Sequence, residues 1–89
     1  MLRIKALVQS RDEVVLEIEG WISQANIGLL ETEIASHFEG AQQLVLDLGG
    51  VRNIDRSGLD LLGQWSMQGV AFKGESLFIR TLLRNCGLI

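Results

Sequence analysis

The chain has 89 residues, is 47% hydrophobic, lacks proline and carries a formal net charge of −3. A chain of this length makes one domain, residues 1–89; its composition excludes a disordered tail, and its charge gives no reason to expect a nucleic-acid partner. The single Cys86 and single His37 exclude an internal disulfide and a structural zinc site, which points to a reducing compartment.

Leu2, Ile4, Ala6 and Val8 alternate with Arg3 and Lys5. After the polar turn Gln9-Ser10-Arg11-Asp12, Val14, Leu16 and Ile18 alternate with Glu17 and Glu19. This spacing predicts a hairpin with one face in the core. The register in which charge and hydrophobicity agree sets Lys5 opposite Glu17, Arg3 opposite Glu19, Ile4 opposite Ile18 and Ala6 opposite Leu16, with exposed ion pairs that specify register more than they stabilise. The outer face, with Arg3, Lys5, Glu17, Glu19 and Val15, is too charged for a greasy dimer interface. Gly20-Trp21-Ile22 then leads to Ser23, a predicted helix N-cap, and Ile27, Leu30, Ile34 and Phe38 recur at helical spacing up to a stop near Gly40. Trp21 is expected to close one end of the core; the competing reading is a half-exposed interface aromatic.

Leu44 to Leu48 is a short apolar run suited to a central strand covered on most of both sides. Gly49 and Gly50 are expected to let the chain leave that strand sharply and pass through Val51 to Ile54 toward a helix. Asp55 is the predicted cap, accepting the amide of Ser57 or Gly58, ahead of Leu59, Leu61, Leu62 and Trp65 at helical spacing and a stop at Gly69. Val70 to Lys73 reads as a short edge strand. Ser76 caps a last helix expected to turn Phe78, Ile79, Leu82, Leu83 and Cys86 inward and Arg80 and Arg84 outward, ending at Gly87. The order ββαβαβα predicts an α/β fold, a mixed sheet of about four strands with helices packed mainly on one face.

The segment from Leu44 to Trp65 resembles the STAS family, named for sulfate transporters and anti-sigma-factor antagonists. The matching residues are Asp47-Leu48 at a strand end, Gly50-Val51 in the connection, and Asp55-Arg56-Ser57-Gly58-Leu59 opening a helix. The order of elements extends the likeness over nearly the whole chain. It implies a non-enzymatic protein–protein interaction module, an anti-sigma-factor antagonist-like regulator that docks a serine-kinase-type anti-sigma partner through the start of the second helix. The residues it puts at that surface are Asp55, Arg56, Ser57, Gly58 and Asp60. In family members switched by phosphorylation the acceptor hydroxyl usually directly follows the Asp, and that position holds Arg56. Ser57 is the candidate phosphoacceptor, one residue late and rotated by about 100° around the helix. Docking is therefore expected not to be gated by phosphate, and Arg56 has two readings: a solvated charge that pairs with Asp60 at i, i+4, or a cation that favours an acidic partner. The alternative the family offers is a small accessory subunit of a membrane transporter ATPase of the lipid-transport type. A homodimer within a signalling assembly is a third possibility.

His37, Asp47 or Asp55, and Ser57 supply the residue types of a hydrolytic triad, but no Gly-x-Ser-x-Gly elbow is present and His37 stands near a helix end. The glycines match neither phosphate-cradling pattern. No catalytic residue, metal or cofactor is expected. No apolar run approaches the roughly 20 residues that cross a bilayer, and Met1-Leu2-Arg3-Ile4-Lys5 lacks a secretion core, so the expected location is cytoplasmic, without direct membrane insertion.

Overall fold

The structure, a computed structural model, describes residues 2–8, 12–38, 43–74 and 76–87. The alternating first third folds as an antiparallel pair, β1 (Leu2–Val8) and β2 (Glu13–Ile22). Its register is the one that the sequence predicts, with Arg3 opposite Glu19, Ile4 opposite Ile18, Lys5 opposite Glu17 and Ala6 opposite Leu16. The expected ion pairs do not form. Among the described residues the salt bridges are His37–Glu33 and Arg56–Asp60. Hydrophobic alternation alone therefore sets this register, since slipping by one residue would turn Leu16 and Ile18, both fully buried, to the other face. Of the predicted turn, Gln9, Ser10 and Arg11 lie outside the described residues, as does the stop near Gly40.

Helix α1 (Ile27–Phe38) carries the chain to β3 (Gln43–Ile54), which pairs parallel with β2; α2 (Arg56–Met67) carries it to β4 (Ala71–Lys73), parallel with β3. Helix α3 (Leu77–Asn85) follows. The sheet order β1-β2-β3-β4 is mixed and four-stranded. One core holds Leu16 and Ile18 of β2, Leu44, Leu46 and Leu48 of β3, Leu30 and Ile34 of α1, Leu61 and Leu62 of α2, and Ile79 and Leu83 of α3, so the three helices share one face.

Several local expectations are corrected. Gly49 and Gly50 do not turn the chain: neither has positive φ, and β3 continues through them to Ile54. Pairing with β2 persists with register shifts between Glu17 and Glu19 and between Gly20 and Trp21. Gly50 is needed for close approach, because a Cβ there would lie 2.6 Å from Glu19 Cγ and 3.2 Å from Glu19 Cα. Ser23 is not the cap of α1. The helix begins at Ile27 after Asn26, whose Oδ1 accepts the Ser23 amide at 2.9 Å and whose Nδ2 donates to the Trp21 carbonyl at 2.8 Å. Val70 precedes β4, buried.

In α3, Ser76 caps as predicted, accepting the Ile79 amide, and Ile79 and Leu83 are buried. Phe78 and Cys86, expected inward, are exposed. A nine-residue helix packed against β3 buries one narrow stripe, and Ile79 and Leu83, four apart, fill it. Val15, expected on an open face, is buried, because the register lines it up with Leu7 and Val45 across the sheet. Trp21, expected to close the core, is 56% exposed, whereas Trp65 packs its ring 5.4 Å from that of Phe38. Gly69 and Gly87 follow α2 and α3 with φ of 99° and 76°, the left-handed stops that the sequence predicts.

Candidate functional site

The C-terminal ends of the parallel strands β2 and β3 lie side by side, Ile22 opposite Ile54, and each feeds a helix on the same face of the sheet. The starts of α1 and α2 are thus brought together at one end of the molecule. Asp55 joins them. Its Oδ1 accepts the Gly58 amide at 2.9 Å, closing the first turn of α2, and its Oδ2 accepts the Gln24 amide at 2.8 Å, from the loop before α1. The Asp55 amide in turn donates to the Ile22 carbonyl at 3.0 Å. The capping role is legible from the sequence; the bond to Gln24, 31 residues away, is not.

Donation from the Gly58 amide, and then from Gln24, holds the Asp55 carboxyl below its ordinary pKa of 3.8. A carboxyl depressed in the folded state contributes stability that is present above about pH 3.8 and is lost as pH falls through its lower folded value. Asp55→Asn should therefore flatten the loss of stability on acidification below that point, because a carboxamide has no proton to take up there. Urea midpoints taken from pH 5 down to pH 2 check this, and parallel acid limbs in the two proteins would contradict the bridge.

Gly58 is buried against the strand ends, where a Cβ would lie 2.6 Å from Ile22 Cγ2 and 2.7 Å from Ile54 Cγ2. Only glycine lets α2 start this close to the sheet. The neighbouring side chains diverge. Arg56 is 88% exposed and its Nε donates to Asp60 Oδ1 at 3.2 Å, the i, i+4 pair that the sequence predicts. Both border an open groove of about 790 Å³ between α2 and α3, with Leu59, Met67 and Cys86. Ser57 is half-buried and borders the other side of α2, in a shallow groove toward α1 with Ile27, Glu31 and Gln64.

The residue types of a triad do not assemble through hydrogen bonds among the described residues. His37 Nε2 lies 3.7 Å from Glu33 in the last turn of α1, Asp47 Oδ1 accepts the Gly49 amide, and both Asp55 oxygens are occupied by backbone amides. Among the described residues no group of three or more His, Cys, Asp or Glu could hold a metal ion, and no helix is long and apolar enough to cross a membrane.

A family model described as Mlab, STAS domain, matches residues 6–88. No curated protein matches the chain. Similar solved structures include the anti-sigma factor antagonist SpoIIAA in its unphosphorylated form, at 18% identity over 97% of this chain and 82% of that one, with a TM-score of 0.75. Phosphorylated SpoIIAA, the Bacillus cell fate determinant, matches at 16% identity over 97% and 85%, with a TM-score of 0.68. An uncharacterized DUF3478-family protein from Shewanella loihica PV-4 with a SpoIIAA-like fold matches at 13% identity over 97% and 76%, with a TM-score of 0.61. At these identities the structures share a fold with the chain and nothing finer.

Proposed function

The chain belongs to the STAS domain family, and from that premise we propose that it is a non-enzymatic protein-docking module that receives its partner on the start of α2 without phosphate gating. The partner is a serine-kinase-type anti-sigma protein, the chain acting in the cytoplasm as an anti-sigma-factor antagonist-like regulator. The observation that carries this reading is the state of two adjacent side chains. Arg56 stands exposed at the tip of α2, in the place where the family resemblance puts an acceptor hydroxyl, and Ser57, the hydroxyl nearest to it, is half-buried toward α1. A guanidinium cannot be phosphorylated by a serine kinase, and a hydroxyl turned toward a neighbouring helix is poorly placed for attack on ATP bound to one. Asp55, Arg56, Ser57, Gly58 and Asp60 make up the docking tip, with Gly58 acting from beneath it.

Incubation with the cognate kinase and ATP, followed by intact-mass measurement, should leave the mass unchanged; added phosphate on Ser57 would overturn ungated docking. Arg56→Glu should weaken the partner complex on the order of tenfold and leave the thermal midpoint within a few degrees, since an exposed i, i+4 pair contributes little to folding. Unchanged binding would remove Arg56 from the surface.

A second reading, a small accessory subunit of a lipid-transport-type ATPase, is favoured by the matching family's description, which names Mlab. Titrating the chain against a purified anti-sigma kinase and a purified transporter ATPase subunit from the same genome separates the two.

A further inference from the structure

Trp21 is a large aromatic that the fold leaves in solvent, 56% exposed, next to the docking tip. It pairs in register with Asn53, two residues before Asp55, and the register shift between Gly20 and Trp21 gives β3 an extra residue, Arg52, at that point. Arg52 is exposed and has no ion pair among the described residues. An irregularity of this kind re-aims side chains at a sheet rim, and tryptophan and arginine are the residues most enriched among those that dominate binding energy.

The platform beneath Trp21 is tied down from three sides. Asn26 Nδ2 donates to the Trp21 carbonyl, the Ser23 amide to Asn26 Oδ1, and the Gln24 amide to Asp55 Oδ2. The β2–α1 loop and the start of α2 are thus hydrogen-bonded into one surface, and the backbone of Trp21 is held before any partner arrives, which lowers the ordering cost of using it. The exposed cations along this surface are Arg52 and Arg56; Arg56 shares its charge with the exposed Asp60, and the Asp55 carboxylate is taken up by the Gly58 and Gln24 amides, which leaves Arg52 without an ion pair among the described residues.

We infer that Trp21 is the aromatic anchor of the docking surface, and that it enters an apolar pocket of the protein partner whose rim carries carboxylates facing Arg52 and Arg56. This rests on the reading that the start of α2 is where the partner docks, and extends that surface across the sheet end to a residue outside the helix. It also assigns the polarity of the partner: an acidic rim around an apolar centre, the usual anatomy of a specific interface.

The test uses whichever of the two purified partners, anti-sigma kinase or transporter ATPase subunit, binds the unaltered chain. Trp21→Ser should lower its affinity tenfold or more, Trp21→Phe should restore part of the loss, and Arg52→Glu should lower affinity while reversing the salt dependence contributed by that charge. In a Trp65→Phe background, where Trp21 is the sole tryptophan, complex formation should shift its emission to the blue and reduce acrylamide quenching several-fold. If Arg56→Glu weakens the complex while Trp21→Ser and the quenching do not change, the anchor is wrong and the docking tip stands. If none of these variants changes affinity, or neither partner binds, the docking reading itself fails and the anchor with it.

Discussion

Gly58→Val is expected to lower the unfolding free energy by about 3 kcal/mol, the upper end of what overpacking a well-filled interior costs. Even the first added carbon would meet Ile22 Cγ2 at 2.6 Å, Ile54 Cγ2 at 2.7 Å and the Ile22 carbonyl oxygen at 3.1 Å. Both isoleucines are buried, so neither methyl can swing into open space, and the carbonyl belongs to a strand. Relief requires α2 to lift from the sheet, which stretches the Asp55 bonds to Gly58 and Gln24 and disorders the tip proposed to receive a partner. The helical propensity gained on replacing glycine, under about 1 kcal/mol, does not offset this. Gly28, in the first turn of α1, is the internal control: nothing lies within 4 Å of a Cβ placed there. Gly28→Ala should stabilise by about 0.4–1 kcal/mol. Urea denaturation measures both, and equal midpoints for the two variants would mean that α2 does not start against the strand ends.

Leu46→Ala should cost about 2–5 kcal/mol, the range for emptying a fully buried leucine site. Leu46 is completely buried at the centre of the sheet, paired with Leu16 on one side and Phe72 on the other. Its neighbours are fixed by strand pairing on both sides, so the hole cannot collapse and the cavity contribution should be near its full value. Stability of small domains is typically about 5–15 kcal/mol in total, so this one truncation removes a large share of it. Val45→Ala, on the opposite face of the same strand and outside the main core, is expected to cost less. Thermal melts distinguish the two, and a larger fall for Val45→Ala would place the principal core on the wrong face of the sheet.

What was legible in the chain is confined to features with a local physical cause. The hairpin register follows from period-two alternation, because a slip of one residue moves every apolar side chain to water. The start of α2 follows from Asp55 and the helical spacing after it, and the ends of α2 and α3 from Gly69 and Gly87, where left-handed backbone favours glycine. The local pattern is ambiguous where one residue type serves two purposes. Gly49 and Gly50 look like a turn, yet they are strand: Gly50 stays in register opposite Glu19 of β2 and makes room for it, while the Gly49 amide donates to Asp47 Oδ1. Ser23 has the chemistry of a cap, yet α1 starts only at Ile27, and the Ser23 amide instead donates to the Asn26 side chain, which also holds the Trp21 carbonyl.

Local spacing and residue chemistry by themselves determined the order of elements, the hairpin register, the cap at Asp55 and the i, i+4 pair of Arg56 with Asp60, because each depends on neighbours a few positions away or on a simple period. Only the folded chain decided that Asp55 also binds Gln24, that Gly58 lies beneath the tip, that Ser57 turns toward α1 and that Trp21 stays in water. These depend on parallel pairing of β2 with β3 and on where α1 comes to rest, contacts between residues some thirty positions apart that no local pattern encodes.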